Sequence, residues 1–131
     1  MGKRIVVALG GNALGNTPLE QLEKVKIAAD IISDLVKDGN DVIIGHGNGP
    51  QVGMINLAMD YSANGKEKTP LMPLVECGAM SQGYIGYHLQ QALGQAFKEK
   101  GINKQNEIVL IGFGFGGVLI RETLKLEEVK G

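Results

Sequence analysis

Residues 4–14 read RIVVALGGNAL, and the reading of that stretch decides the fold. RIVVAL (4–9) is short, β-branched and apolar after its first residue, the pattern of a buried strand of a parallel sheet. It stops abruptly on Gly10-Gly11-Asn12. A tight turn explains such an ending. So does a seat for phosphate, because glycine lets backbone N–H groups come close to an anion.

The next signals make a helix. Residues 10–16 read as loop, and Thr17-Pro18-Leu19-Glu20 follows. Thr is a preferred N-cap, Pro suits the first helical position, and Glu three residues after Thr completes a capping box. Leu19, Leu22, Val25, Ala29, Ile32 and Val36 then recur at helical spacing, and Gly39 is a stop signal with Lys37 in the last turn. DVIIG (41–45) reads as a second buried strand. Strand, helix and strand in about forty residues form a βαβ unit with a right-handed crossover.

The second strand runs into GHGNGPQVG (45–53), where Pro50 opens a helix expected to reach Tyr61. Residues 62–73 read as loop. Residues 75–100 read as a long helix, with Ala79, Ile85, Leu89, Ala92, Leu93 and Phe97 on its buried side. Gly78, Gly83 and Gly86 thin its first half and suggest tight packing there. EIVLIG (107–112) reads as a third strand, ending in GFGFGG (112–117); the tail VLIRETLKLEEVKG is ambiguous between strand and helix.

Bulk properties bound the answer. The 131 residues suit one domain, 1–131, large enough for its own core. A net charge of -1 gives no basic footprint for nucleic acid or anionic lipid. One cysteine, Cys77, excludes an internal disulfide and suits a reducing compartment. The N-terminal apolar run is too short for a signal peptide, and no run approaches a membrane span. These features point to a cytoplasmic soluble protein.

The glycines carry the chemistry. They cluster at 10–11, 45–53 and 112–117, each time after an apolar run. Parallel α/β sheets bind ligands beyond the carboxyl ends of their strands. One cluster alone is more often a turn; three favour an oxyanion site. GFGFGG also fits G-x-G-x-x-G, which keeps a dinucleotide reading open. That fingerprint should open a helix and be followed by an acidic residue ~20 positions on, a context the tail does not offer. His46 is placed to donate to an anion or to bond a neighbouring carbonyl, and a lone histidine more often does the latter. His88 and Cys77 read as structural. No His or Cys spacing matches a zinc site.

VVALGGNAL (6–14), IIGHGNGPQVG (43–53) and MPLVECGAMSQGYIGYHLQQAL (72–93) together resemble carbamate kinases of the amino acid kinase family. The resemblance implies an α/β fold, a three-layer αβα sandwich with a mainly parallel sheet, here incomplete. It implies a homodimer and reversible phosphoryl transfer between ATP and carbamate, giving carbamoyl phosphate and ADP, with Mg2+ bound beside the nucleotide. By resemblance, Gly10, Gly11 and Asn12 face the transferred phosphoryl group. Gly47, Asn48 and Gly49, with Gln51, bind the acceptor. Gly114, Gly116 and Gly117 lie at the nucleotide. Ala8 stands where many members of the wider family carry lysine. After Gln105 the chain leaves the carbamate kinase pattern, and it lacks the nucleotide-binding half and its lysines. The resemblance therefore leaves two readings, a weak carbamate kinase-type phosphotransferase or a non-catalytic anion-binding or dimerising remnant.

Overall fold

In a computed structural model, the described residues are 2–102 and 110–112. Their order is β1 (Arg4–Leu9), α1 (Gly11–Leu14), α2 (Pro18–Lys37), β2 (Asp41–His46), α3 (Gly49–Asn64), α4 (Leu74–Glu99) and β3 (Leu110–Gly112). The strands form one parallel sheet in the order β1-β2-β3. The expected βαβ unit is present, and the chain is α/β.

The signals of α2 act as read, with one shift. Thr17 Oγ1 accepts from the Glu20 backbone N–H at 3.2 Å, but Glu20 reaches back to the N–H of Asn16 (2.9 Å) rather than to that of Thr17. Gly39 follows the helix with φ of 86°, a left-handed turn that glycine enters at no steric cost. α3 starts at Gly49 and runs to Asn64, three residues beyond the expected end, so the loop begins later. Residues 10–16 are not all loop, because Gly11–Leu14 makes one helical turn. Residues 107–109 of the third strand lie outside the described residues.

The core forms where α2 and α4 pack together over the sheet. Val25, Ala29 and Ile32 of α2 meet Ile85, Leu89, Leu93 and Ala96 of α4, with Leu9 and Ile44 below them. Leu14 belongs to the same cluster and is wholly buried. Full burial of such side chains stabilises by roughly 1.5–3 kcal/mol each.

Three burial expectations need correction. Leu19 is 76% exposed, because it lies about 200° round α2 from Gln21, which is wholly buried against α4, and so faces away from that helix. Ala79 is also exposed, since the buried stripe of α4 runs through Cys77, Ser81, Ile85, Leu89 and Leu93. The first strand is covered on one face only. Leu9 is buried, Ile5 and Val7 are half-buried, and Val6 on the opposite face is 65% exposed. A β-carbon added at Gly78 or Gly83 would meet no heavy atom within 4 Å, so these glycines do not mark close helix packing.

Candidate functional site

Parallel register brings the glycine loops together. Leu9 pairs with His46, so the chains leaving β1 and β2 emerge at the same end of the sheet. The Gly47 N–H donates to the Leu9 carbonyl at 3.2 Å and carries the ladder one step further. Gly112 pairs with His46 from the other side, so β3 ends at this edge as well. Gly114, Gly116 and Gly117 lie outside the described residues. Gly11 and Asn12 begin the single turn of α1, directly after Gly10.

Backbone angles and packing separate the glycines that the described fold needs from those that it does not. Gly10 has φ of −73°, which any residue adopts. Gly47 and Gly49 are not among the glycines with positive φ. A β-carbon added at Gly10, Gly47, Gly49 or Gly53 would meet no heavy atom within 4 Å. Neither backbone conformation nor packing within the described residues therefore asks for glycine at these places. Gly15 is the opposite case. Its φ is 72°, and an added β-carbon would lie 2.8 Å from that of Glu20. Gly15 serves the fold; Gly10, Gly47 and Gly49 leave open space beyond the strand ends.

The polar residues of the second loop are held from behind. Asn48 precedes α3 without capping it; its Nδ2 donates instead to Ser81 Oγ (2.8 Å), which donates to the Gly78 carbonyl (2.6 Å). The N-terminus of α3 is thus left without a side-chain cap, a disposition that favours anions. Gln51, 1% exposed, donates from Nε2 to the Gly15 carbonyl (3.0 Å) and to Gln21 Oε1 (3.1 Å). It ties the second loop to the first.

His46 takes the bland course. It is 2% exposed, and its Nδ1 lies 3.0 Å from the Gly47 carbonyl. A carbonyl only accepts, so Nδ1 carries the proton. Burial pushes the pKa of His46 below the ordinary 6.5, against a smaller upward pull from the Gly47 bond. Burial lowers the pKa of His88 as well. Both histidines therefore bind a proton more readily in the unfolded chain. Their contribution to stability is fully present above the unfolded pKa and is lost as pH falls through the lowered native values. Urea unfolding at about pH 7.5 and about pH 5.5 should show the lower stability in acid, and His46→Asn should reduce that difference.

Cys77 is fully buried, with Sγ 3.5 Å from the Met72 carbonyl, as a packed thiol. Sequence reasoning missed Gln21 and Ser81, both fully buried. The available signal was a polar residue on an apolar stripe: Gln21 lies four before Val25, and Ser81 four before Ile85. Among the described residues no group of three His, Cys, Asp or Glu side chains could hold a metal ion.

Residues 3–129 match the model of the amino acid kinase family. The chain belongs to the amino acid kinase family. Within that family it is 54% identical over 102 residues to a carbamate kinase of Staphylococcus epidermidis, covering 78% of this chain and 33% of that protein. It is 52% identical over 104 residues to a carbamate kinase-like protein of Escherichia coli, covering 79% of this chain and 34% of the relative. The carbamate kinase from Giardia lamblia bound to AMP-PNP superposes with a TM-score of 0.70 at 43% identity, covering 76% of this chain and 36% of that one. The described architecture is thus part of the amino acid kinase fold. The chain spans about a third of the length of the curated relatives it matches. No described helix is long and apolar enough to cross a membrane.

Proposed function

We propose that the loops closing β1 and β2 form the phosphoryl- and acceptor-facing side of a carbamate kinase-type site. In this reading Gly10, Gly11 and Asn12 face the phosphoryl group, and Gly47, Asn48, Gly49 and Gln51 form the acceptor side. Gln51 acts there from behind, through the Gly15 carbonyl. The reaction is reversible phosphoryl transfer between ATP and carbamate. ATP or ADP with Mg2+ completes the site, and Gly114, Gly116 and Gly117 are assigned to the nucleotide. The observation that carries the reading is the open space at Gly10, Gly47 and Gly49, where the fold itself does not require glycine.

Gly10→Ala tests it. Alanine adopts the backbone angles of Gly10 without strain, so the melting temperature should stay within a few degrees of the parent. The added methyl group stands where the ligand would lie. Carbamoyl phosphate binding, measured by calorimetry, should weaken about tenfold, or ~1.4 kcal/mol. Equal binding in parent and variant would remove Gly10 from the site. Tight NAD binding by the parent would favour the dinucleotide reading instead.

A second reading, an anion-binding module without turnover, is favoured by the absence of Lys and Arg from residues 5–23 and 38–65, which contain both loops. Both readings place the protein in the cytoplasm as a homodimer. Leu57, Tyr61, Leu71, Leu74, Val75 and Tyr87 stand exposed on α3, α4 and the loop joining them. Exposed large apolar side chains on neighbouring elements are material for an interaction surface. Sedimentation should give twice the chain mass; a monodisperse monomer that melts cooperatively would contradict the dimer.

A further inference from the structure

Behind the glycine loops, three buried polar side chains stand in line. Gln51 donates to the Gly15 carbonyl and to Gln21 Oε1, and Gln21 Nε2 lies 3.0 Å from His88 Nδ1. Gln21 is wholly buried, Gln51 is 1% exposed and His88 is 7% exposed. The line runs from the first loop, through α3 and α2, to the middle of α4.

Its directions follow from one fixed end. The Gly15 carbonyl can only accept, so the amide nitrogen of Gln51 faces it. The same nitrogen supplies Gln21 Oε1. That turns the nitrogen of Gln21 toward His88, whose Nδ1 must accept, and the ring proton sits on Nε2. A protonated His88 would bring N–H against N–H. Turning Gln21 moves that conflict to Gln51, and turning Gln51 sets its oxygen against the Gly15 carbonyl. Every arrangement with a charged His88 leaves two donors or two acceptors face to face.

We propose that Gln21 and Gln51 are positioning residues that set the placement of the two glycine loops, with neutral His88 as their far anchor. The consequence for ligand binding rests on reading those loops as an oxyanion site. Gln51 Oε1 is buried without a hydrogen-bond partner among the described residues. An orphaned acceptor of this kind is costly to bury. The surroundings leave His88 without a directly bonded counter-charge. On α4 it packs against Tyr84 (ring centroids 5.0 Å apart) and Tyr87 (5.6 Å). It borders a cavity of about 440 Å³ between α2 and α4, whose charged lining residues are Lys26, Asp30 and Glu99. Asp30 is already paired with Lys100 at 2.7 Å. The charged residue of α3, Asp60, accepts from Asn64 on the exposed side of its own helix.

The test is an NMR titration of the isotope-labelled full chain, following histidine ring nitrogens and loop amides, alone and with carbamoyl phosphate as the probe. Near neutrality His88 should carry its proton on Nε2. As pH falls, the amides of Gly15, Gly47 and Gly49 should shift with the same midpoint as His88, and probe affinity should fall with them. Gln21→Glu offers a second carboxylate oxygen to a protonated Nδ1, so the His88 midpoint should rise by about one unit or more and the loop amides should stop following it. Gln21→Leu should weaken probe binding about tenfold, and Gln21→Glu should restore it. A proton on Nδ1 in the parent, or loop amides that ignore His88, overturns the proposal, and this needs no variant to fold. If the amides follow His88 but carbamoyl phosphate never perturbs them, the relay stands and the oxyanion reading of the loops fails.

Discussion

Carbamoyl phosphate and ADP, offered to this chain alone, are expected to yield ATP at least about a hundredfold more slowly than with a full-length carbamate kinase. Phosphoryl transfer needs little covalent help from protein. It needs the donor and acceptor held in line and the charge on the transferring group neutralised. In the proposed reading the loops serve the first need on one side, where register aligns Leu9 with His46 and Gln51 ties Gly15 to the first turn of α3. They do not meet the second. No Lys or Arg occurs in residues 5–23 or 38–65. Lys100, a cation at the end of α4, is engaged by Asp30 and Asp34 at 2.7 Å each. Loss of one well-placed charge-stabilising contact typically costs ~10²–10³ in rate. A coupled assay measures ATP formation directly. Turnover at the rate of a full-length enzyme would mean that this chain supplies its own cations. Binding without turnover would select the module.

Leu14→Ala is expected to lower the unfolding free energy by about 2–5 kcal/mol in urea. Leu14 is wholly buried and belongs to the core, yet it ends the single turn that carries Gly11 and Asn12. It is therefore the apolar anchor of the first glycine loop. Truncation leaves a cavity among neighbours that relax only in part. A domain of this size has a total stability of only ~5–15 kcal/mol, so much of the margin goes. The loop should loosen as well, with hydrogen exchange at residues 10–15 faster than the global loss explains. A change below ~1 kcal/mol would show that the turn does not depend on Leu14.

The local parts of the fold were legible because local chemistry specifies them. Thr17, Pro18 and Glu20 open α2, and Gly39 ends it, through bonds made within a few residues. The strand at 41–46 and the long helix at 74–99 fell within a residue or so of their expected ends, since apolar spacing sets them. Errors arose where spacing is ambiguous. Leu19 is expected on the buried stripe, but it lies about 200° round the helix from wholly buried Gln21, on the side that α4 does not cover. Val6 fits a continuous apolar strand, but one face of β1 has nothing packed on it among the described residues.

The site divides in the same way. The sequence by itself determined that glycine loops end the strands and that a βαβ unit aligns them. These depend on residue type and near spacing. Only the tertiary structure decided which glycines serve the fold and which leave space. Gly15 and Gly10 look alike in the sequence; a positive φ and the β-carbon of Glu20 mark the first, and open space marks the second. Only the structure showed that Gln21, Gln51 and His88, far apart along the chain, meet as one hydrogen-bonded line. The physical reason is range. Caps, turns and helix periods act over a few residues, whereas a buried polar group must find its partner wherever packing places one.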